Sequence, residues 1–454
     1  MTKIIKNGRV IDTANSIDRV CDIVIKNGKI AHIGDVSDYL FNEITDFARN
    51  IVAKGECDKG EITSAFQNIV LDDGKAPEII NAAGRIVAPG LVDMHVHLRD
   101  PGQTHKEDII TGCRAAAAGG VTSLLCMPNT TPVIDDSETL LYVKEKAKQA
   151  DAKVYIAAAA TMGLKSEQPC DYEVLAKAGA IAVTDDGFPV RGEDFLLGAI
   201  KNNADLKILC HCEDMELSHG GKMRSGRIAD SLNVKGIPAE AEWLDVQHVV
   251  TLLQKVGGSA HICHISTAES LDIIRKAKAE GIKITCETAP HYVAFTEDKL
   301  AGRDADYRMN PPLGNETDRQ AIATALRDGT IDCIATDHAP HSPEEKTDFE
   351  NAPNGVVGME TSLAAMMTFS GLDISDIIRL MSENPARILG IEAGTLSVGA
   401  AADIIIIDPD LRWTVDVNKL HGKSKNAVFK GCELRGKVIT TLLDGKIVYE
   451  KNCS

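Results

Sequence analysis

Apolar positions along this chain follow two different rhythms, one at the ends and one in the middle. Near the N-terminus, Lys3-Ile-Ile-Lys6, Cys21-Asp-Ile-Val-Ile-Lys26 and Lys29-Ile-Ala-His-Ile33 are short strand-like runs. Asn7-Gly8 and Asn27-Gly28 divide them, and Asn-Gly between such runs predicts a hairpin, because a type I′ turn needs positive φ at both central residues. The C-terminus repeats the pattern. Asp403-Ile-Ile-Ile-Ile407 and Lys437-Val-Ile-Thr-Thr-Leu442 read as strands, and Asp444-Gly445 predicts a hairpin into Lys446-Ile-Val-Tyr449. Residues 1–86 and 388–454 are therefore expected to build one small β-sandwich from both termini.

Within the first of these stretches, residues 35–78 read as a helical insertion. Leu40, Ile44, Phe47 and Ile51, then Ile62, Phe66 and Ile69, fall at spacings of three and four and give each segment one apolar stripe. Gly55 and Gly60 separate the two. Such a pair either packs on the sandwich or forms a contact surface.

Between 87 and 387 the rhythm becomes strand, loop, helix, repeated. The opening run Val87-Ala-Pro-Gly-Leu-Val-Asp-Met-His95 is followed by Val121–Cys126, Val154–Ala157, Ala180–Thr184, Lys207–His211, Ala260–His264, Lys283–Cys286 and Ile331–Thr336. Helical stretches lie between most of them, among them 107–118, 239–255 and 267–279. Eight such units in about 300 residues predict a closed (β/α)8 barrel, an α/β fold, rather than an open sheet.

Barrels of this kind carry their chemistry at the C-terminal strand ends, and the polar residues fall there. Strand one ends in His95 and His97, strand two in Asn129, strand four in Asp185-Asp186, strand five in His211, strand six in His264, and strand eight in Asp337 with His338 and His341. His-x-His on a strand puts both imidazoles on one face, which suits one metal ion or a pair of locally hydrogen-bonded side chains. His248, His261 and His338 read as structural or as supports behind the rim residues, and His291 has no assigned role.

Composition narrows the partners. At 454 residues the chain is long enough for a large barrel and a smaller domain. A net charge of −17 argues against nucleic acid and anionic membrane surfaces. An anionic small molecule is still allowed, because a metal or arginine cluster overrides the global field locally. No apolar run approaches the roughly 18 residues that span a bilayer, and no signal-peptide pattern opens the chain. The 12 cysteines are scattered, without Cys-x-x-Cys. That usage favours reduced thiols and the cytoplasm, with Cys210, Cys212 and Cys263 as core filling.

Four histidines (His95, His97, His211, His264) and carboxylates from strands four and eight make a nitrogen and oxygen ligand set suited to zinc, and also to manganese or cobalt. Six groups exceed what a single tetrahedral zinc needs. They favour two ions about 3.5–4 Å apart, sharing a carboxylate and a hydroxide.

The motifs Val-Asp-Met-His95-Val-His97-Leu-Arg99-Asp-Pro-Gly, Met-Pro-Asn129-Thr, Thr-Asp-Asp186-Gly, His211-Cys-Glu-Asp, His264-Ile-Ser-Thr-Ala-Glu-Ser, Met-Asn310-Pro-Pro-Leu and Ala-Thr-Asp337-His-Ala-Pro-His341 resemble the amidohydrolase superfamily. More closely, the chain resembles type I dihydroorotases, over nearly its whole length. In that family a carboxylated lysine or an aspartate bridges the metals. No lysine ends strand four here, so the resemblance implies Asp186 as the bridge between two Zn2+ ions, with Asp185 as the residue it must be told from.

The implied reaction is the reversible cyclisation of N-carbamoyl-L-aspartate to L-dihydroorotate in pyrimidine synthesis. Asp337 would be both a metal ligand and the general base and acid. Arg99 would take the substrate carboxylate bidentately. The resemblance adds His97, Asn129, Asn310, His341, Asn354 and Gly355 as substrate contacts, and residues 342–358 as a lid. Asn354 departs from the family pattern, which has an aromatic residue there. A second copy of the chain and aspartate transcarbamoylase are the partners implied. Hydantoinases and allantoinases resemble the chain less, because their patterns lack an arginine two residues after His-x-His. Non-catalytic relatives lose metal histidines that this chain retains.

Overall fold

Two sheets organise the chain, and the handover from one to the other fixes where the polar rim lies. The computed structural model describes residues 2–39, 76–189, 198 and 205–451. The two helices expected at 40–51 and 62–69 lie outside the described residues.

The first sheet takes strands β1 (Thr2–Asp12), β2 (Ile17–Lys26), β3 (Lys29–Gly34), β4 (Glu78–Asn81) and β5 (Ile86–Pro89) from the N-terminal side. From the C-terminus come the last three strands, Ile404–Thr414, Glu433–Leu443 and Lys446–Glu450, in the order last, second-last, third-last, then β5-β1-β2-β3, with β4 also beside β1. The sheet folds back on itself. Ile30 N–H donates to Ala400 O at 2.9 Å, and Gly445 N–H to Ala402 O at 3.0 Å. Ile5, Ile23, Ile25, Val87, Ile404 and Leu442 are buried in the core it encloses.

Two of the three predicted hairpin turns form. Asn27-Gly28 (φ +53° and +77°) and Asp444-Gly445 (φ +47° and +73°) hold positive φ at both positions, as the turn requires. Asn7-Gly8 does not make a turn. It is a bulge inside β1, where the pairing slips between Ile5↔Ile23 and Gly8↔Cys21. The reason is tertiary: Arg9–Asp12 still find partners on β2, and a Cβ on Gly8 would stand 2.4 Å from the Val87 side chain.

The apolar run that starts at Val87 is likewise divided. β5 belongs to the first sheet, and β6 (Leu91–Val96) opens the second. Gly90 lies between them, where a Cβ would come 2.0 Å from Thr122 Oγ1. The chain can cross there only without a side chain.

The second sheet is the parallel barrel. After β6 come β7 (Val121–Cys126), β8 (Lys153–Ala159), β9 (Ala182–Thr184), β10 (Lys207–Cys210), then, past a two-stranded excursion β11 (Met223–Arg224) and β12 (Gly236–Ile237), β13 (Ala260–Ile262), β14 (Ile284–Thr288) and β15 (Cys333–Ile334). A parallel bridge between Val96 and His338 joins last to first, and His97 N–H donates to His338 O at 2.8 Å. Val92, Met94, Leu125, Ala157, Leu209 and Cys333 fill the interior.

Helices cover the outside. Asp108 and Thr267 cap Ile109–Gly119 and Ala268–Ala279 by accepting from the backbone N–H three residues on. Among the described residues, no helix is long and apolar enough to cross a membrane.

Candidate metal centre and binding cavity

All six side chains expected as metal ligands meet at the C-terminal rim of the barrel, and all are buried. Asp186 is central. Its Oδ1 lies 3.1 Å from His95 Nε2, 3.8 Å from His264 Nε2 and 3.9 Å from His211 Nδ1, and its Oδ2 lies 3.4 Å from His97 Nε2. Asp337 Oδ1 stands 3.3 Å from His97 Nε2 and 3.7 Å from His95 Nε2. Two overlapping groups, His95-Asp186-His264 and His95-His97-Asp337, each bring three ligand atoms close enough to hold an ion, with His95 common to both. Arg99, His264 and Asp337 carry φ of +59°, +34° and +47°, a conformation unusual for side-chain-bearing residues that recurs around this ring.

Asp185 is turned away. Its Oδ1 accepts from the Ala160 and Thr161 N–H groups at 2.9 Å each, and its Oδ2 from the Thr161 hydroxyl. Successive residues on a strand face opposite ways, so one aspartate ties strand ends together while its neighbour enters the ring.

The imidazoles are oriented from behind. His95 Nδ1 is 3.1 Å from Glu287 Oε1, His97 Nδ1 is 2.8 Å from Asn129 Oδ1, and His211 Nε2 is 2.9 Å from Glu213 Oε2. Each of these partners accepts a hydrogen bond, so each ring carries its proton on that side and turns a lone pair inward. Inside, His211 Nδ1 and His264 Nε2 are 2.9 Å apart. His95 Nε2, although 3.1 Å from Asp186, makes no hydrogen bond.

Lone pairs and carboxylates converging in a buried space repel one another unless cations sit among them, and this donor set fits metal ions. The electrostatics point the same way. Burial opposes ionisation of Asp186, but His95, His264 and His97 outweigh it and hold the carboxyl well below its usual range. Burial also works against protonation of His95, yet the Asp186 carboxylate pushes its pKa well above normal: the ring draws a positive charge.

Beside the ring lies a cavity of about 250 Å³, lined by His97, Arg99, Asn129, Asp186, His211, His264, Asn310, Asp337, His341, Asn354 and Gly355 among others. Every residue expected to contact substrate is on its wall. Arg99 donates from Nε to Pro340 O at 3.2 Å, and burial draws its pKa down to about 10, which leaves it cationic at neutral pH.

His341 has both ring nitrogens engaged within the protein. Nε2 is 2.9 Å from Asn354 O, and Nδ1 is 3.4 Å from Lys106 Nζ. Burial, then the charges of Arg99 and Lys106, lower its pKa to about 3. Asn310 donates to Glu213 Oε2 at 2.8 Å, and Asn129 also donates to Asp186 at 3.3 Å.

Sequence reasoning passed over Glu287 and Glu213. A signal existed for both: Glu213 follows His211 by two, and Glu287 is a lone charge within the apolar β14, a costly placement without a partner. His291, left without a role, is buried with Nε2 unpartnered, and burial lowers its pKa to about 4.

The profile of the amidohydrolase family matches residues 86–448. The chain belongs to the amidohydrolase family. Dihydroorotases of Geobacter sp. (strain M21) and Geobacter metallireducens are each 42% identical to this amidohydrolase, over 99% of its length and all of theirs. The dihydroorotase of Syntrophus aciditrophicus is 39% identical over the full length of both. Among solved structures, the L-hydantoinase (dihydropyrimidinase) of Arthrobacter aurescens superposes with a TM-score of 0.82 at 25% identity, over 100% of this chain and 97% of that one. A D-hydantoinase superposes at 0.78 with 22% identity over 99% and 95%, a likeness of fold alone. Amidohydrolases of this kind are metal-dependent, and the His and Asp groups of this one are placed to bind metal.

Proposed function

We propose that this amidohydrolase is a dihydroorotase that interconverts N-carbamoyl-L-aspartate and L-dihydroorotate in pyrimidine synthesis, with two Zn2+ ions per chain. The observation that carries this is Arg99: full-length relatives near 40% identity are dihydroorotases, and here a buried guanidinium faces the same cavity as Asp337 and the histidine ring. The cavity is smaller than the roughly 300–1,000 Å³ that takes drug-sized ligands, and suits a small cyclic acid.

His95, His97, Asp186, His211, His264 and Asp337 would hold the ions, with Asp186 shared between them. When bound, they supply a water deprotonated near neutral pH and polarise the ring carbonyl. Arg99 binds and orients the substrate carboxylate through parallel N–H donors. Asn310, His341, Asn354 and Gly355 shape the wall against which the ring lies.

Burial raises the pKa of Asp337, but His97 and His95 outweigh it, so the carboxyl is held below its usual value and ionised at pH 7. In ring opening Asp337 takes a proton from the attacking water and passes it to the leaving ring nitrogen. In ring closure it removes the proton from the carbamoyl nitrogen as the C–N bond forms and delivers it to the carboxylate oxygen that departs as hydroxide. Residues 342–358 limit water access at the mouth.

We further propose a cytoplasmic homodimer that associates with aspartate transcarbamoylase. The free cysteines among the described residues suit a reducing compartment. Turnover of dihydroorotate, hydantoin and allantoin, measured with metal analysis on one sample, tests the assignment. Dihydroorotate alone should react, with about two zinc per chain; hydantoin turnover without dihydroorotate turnover would overturn it.

A further inference from the structure

Lys346 is buried, 8% exposed, at the end of the single turn Pro343–Lys346. Its ammonium reaches three main-chain carbonyls: Pro353 O at 2.9 Å, Gly355 O at 3.1 Å and Arg308 O at 3.2 Å. An ammonium has three donors and no acceptor, so three carbonyls satisfy it. Asp306, Arg308, Asp304 and Glu345 are the charges around it. Burial draws its pKa down to about 8, which leaves the ammonium form in place at pH 7.

Asn426 completes the arrangement from the far side of the chain. Its Nδ2 donates to Gly355 O at 2.9 Å and Ala339 O at 3.2 Å, and its Oδ1 accepts from His341 N–H at 3.2 Å. Gly355 N–H donates to Arg308 O at 2.9 Å. Gly355 holds φ +141°, and a Cβ there would come 2.6 Å from Ala339 O. Ala339, His341, Asn354 and Gly355 are cavity wall; Lys346 and Asn426 stand behind it and touch none of the space in front.

We propose that Lys346 is a positioning residue which, together with Asn426, clamps the Asn354–Gly355 segment against Ala339–His341 and so gives the substrate wall its shape. The inference rests on the dihydroorotase assignment for its substrate, and on the clamp geometry alone for its mechanical part. A loop wall of this kind is ordinarily mobile. Here the Pro353 and Gly355 carbonyls are tied from behind by buried polar side chains, and losing a charged donor leaves carbonyls unsatisfied.

The test compares wild type, Lys346→Met and Asn426→Ala as full-length, metal-loaded protein. Amide hydrogen exchange at 354–357 should accelerate at least about tenfold in both variants, with exchange elsewhere and bound metal unchanged. KM for dihydroorotate should rise about tenfold, with kcat within about threefold of wild type. If Lys346→Met does not fold, Lys346→Arg replaces it: the charge remains, but a planar guanidinium does not reproduce the three contacts, and the same KM rise is expected. Unchanged exchange at 354–357, faster exchange throughout the barrel, or faster local exchange with an unaltered KM would each overturn the proposal. If wild type does not turn over dihydroorotate, the functional assignment fails, and local exchange still decides the clamp.

Discussion

His95 and Glu287 face each other across the barrel floor, Nδ1 to Oε1 at 3.1 Å, and the second oxygen of the same carboxylate lies 3.3 Å from His261 Nε2. Burial opposes ionisation of Glu287, but His261 and His95 prevail and hold its pKa down to about 2. A charged acceptor therefore fixes the proton of His95 on Nδ1 and points its Nε2 into the ring. Replacing Glu287 by Gln keeps the shape and removes the charge. Metal affinity, measured by titration of stripped protein against a competing chelator, should fall about 10–100-fold. Wild-type affinity would show that His95 needs no such partner.

Asp337 is the carboxylate on the cavity wall nearest His97, and the proposed mechanism gives it the proton transfer. Asp337→Asn should reduce kcat by about 10²–10⁴-fold with most of the metal retained. Steady-state turnover together with metal content on the same preparation checks it.

Arg99 reaches the cavity as a cation held in place by a carbonyl. Arg99→Ala should raise KM for dihydroorotate by about 10–100-fold while kcat changes less. Arg99→Lys should recover little, since a point charge lacks the fork. An unaltered KM in the alanine variant would remove Arg99 from carboxylate binding.

The neighbours Asp185 and Asp186 should separate cleanly on substitution. Asp185→Asn leaves one of the Ala160 and Thr161 donors poorly paired, so a loss of about 1–3 kcal/mol in stability is expected, with metal binding preserved. Asp186→Asn should instead lower metal content. Thermal melting and metal analysis of the two variants give opposite patterns if the assignment holds.

A pH effect is expected away from the site. His421 Nδ1 lies 2.7 Å from Glu360 Oε2, and that hydrogen bond raises the imidazole pKa against a smaller opposing effect of burial. A group whose folded pKa is raised contributes stability in full below its unfolded value, near 6.5, and loses it as pH rises through the folded value. The pair is partly exposed, so the effect is small. Wild type should melt on the order of 1 °C above His421→Gln at pH 6, and the gap should close as the solution becomes alkaline. A gap independent of pH would exclude the ion pair as its source.

The candidate ligands were readable from sequence because strand periodicity is a local rule: in a (β/α)8 barrel, a polar residue just after an apolar strand lands at the C-terminal rim. His95, His97, Asp186, His211, His264 and Asp337 all follow that rule. Choosing Asp186 over Asp185 needed more, since both end the same strand and only the Ala160 and Thr161 donors show which one is already spent. Asn7-Gly8 misled for a related reason. The dipeptide permits a turn, but continued pairing of Arg9–Asp12 with β2 decides against one.

By itself, then, the sequence determined the barrel, the sheet built from both ends and the identity of the groups at the rim, because hydrophobic period and residue chemistry act over a few neighbours. Only the tertiary structure decided what stands behind those groups. Glu287 beneath His95, and Lys346 and Asn426 under Gly355, are partners set by distance in space. A buried charge or amide must find its acceptor wherever the fold brings one, and nothing in the local spacing of residues records where that is.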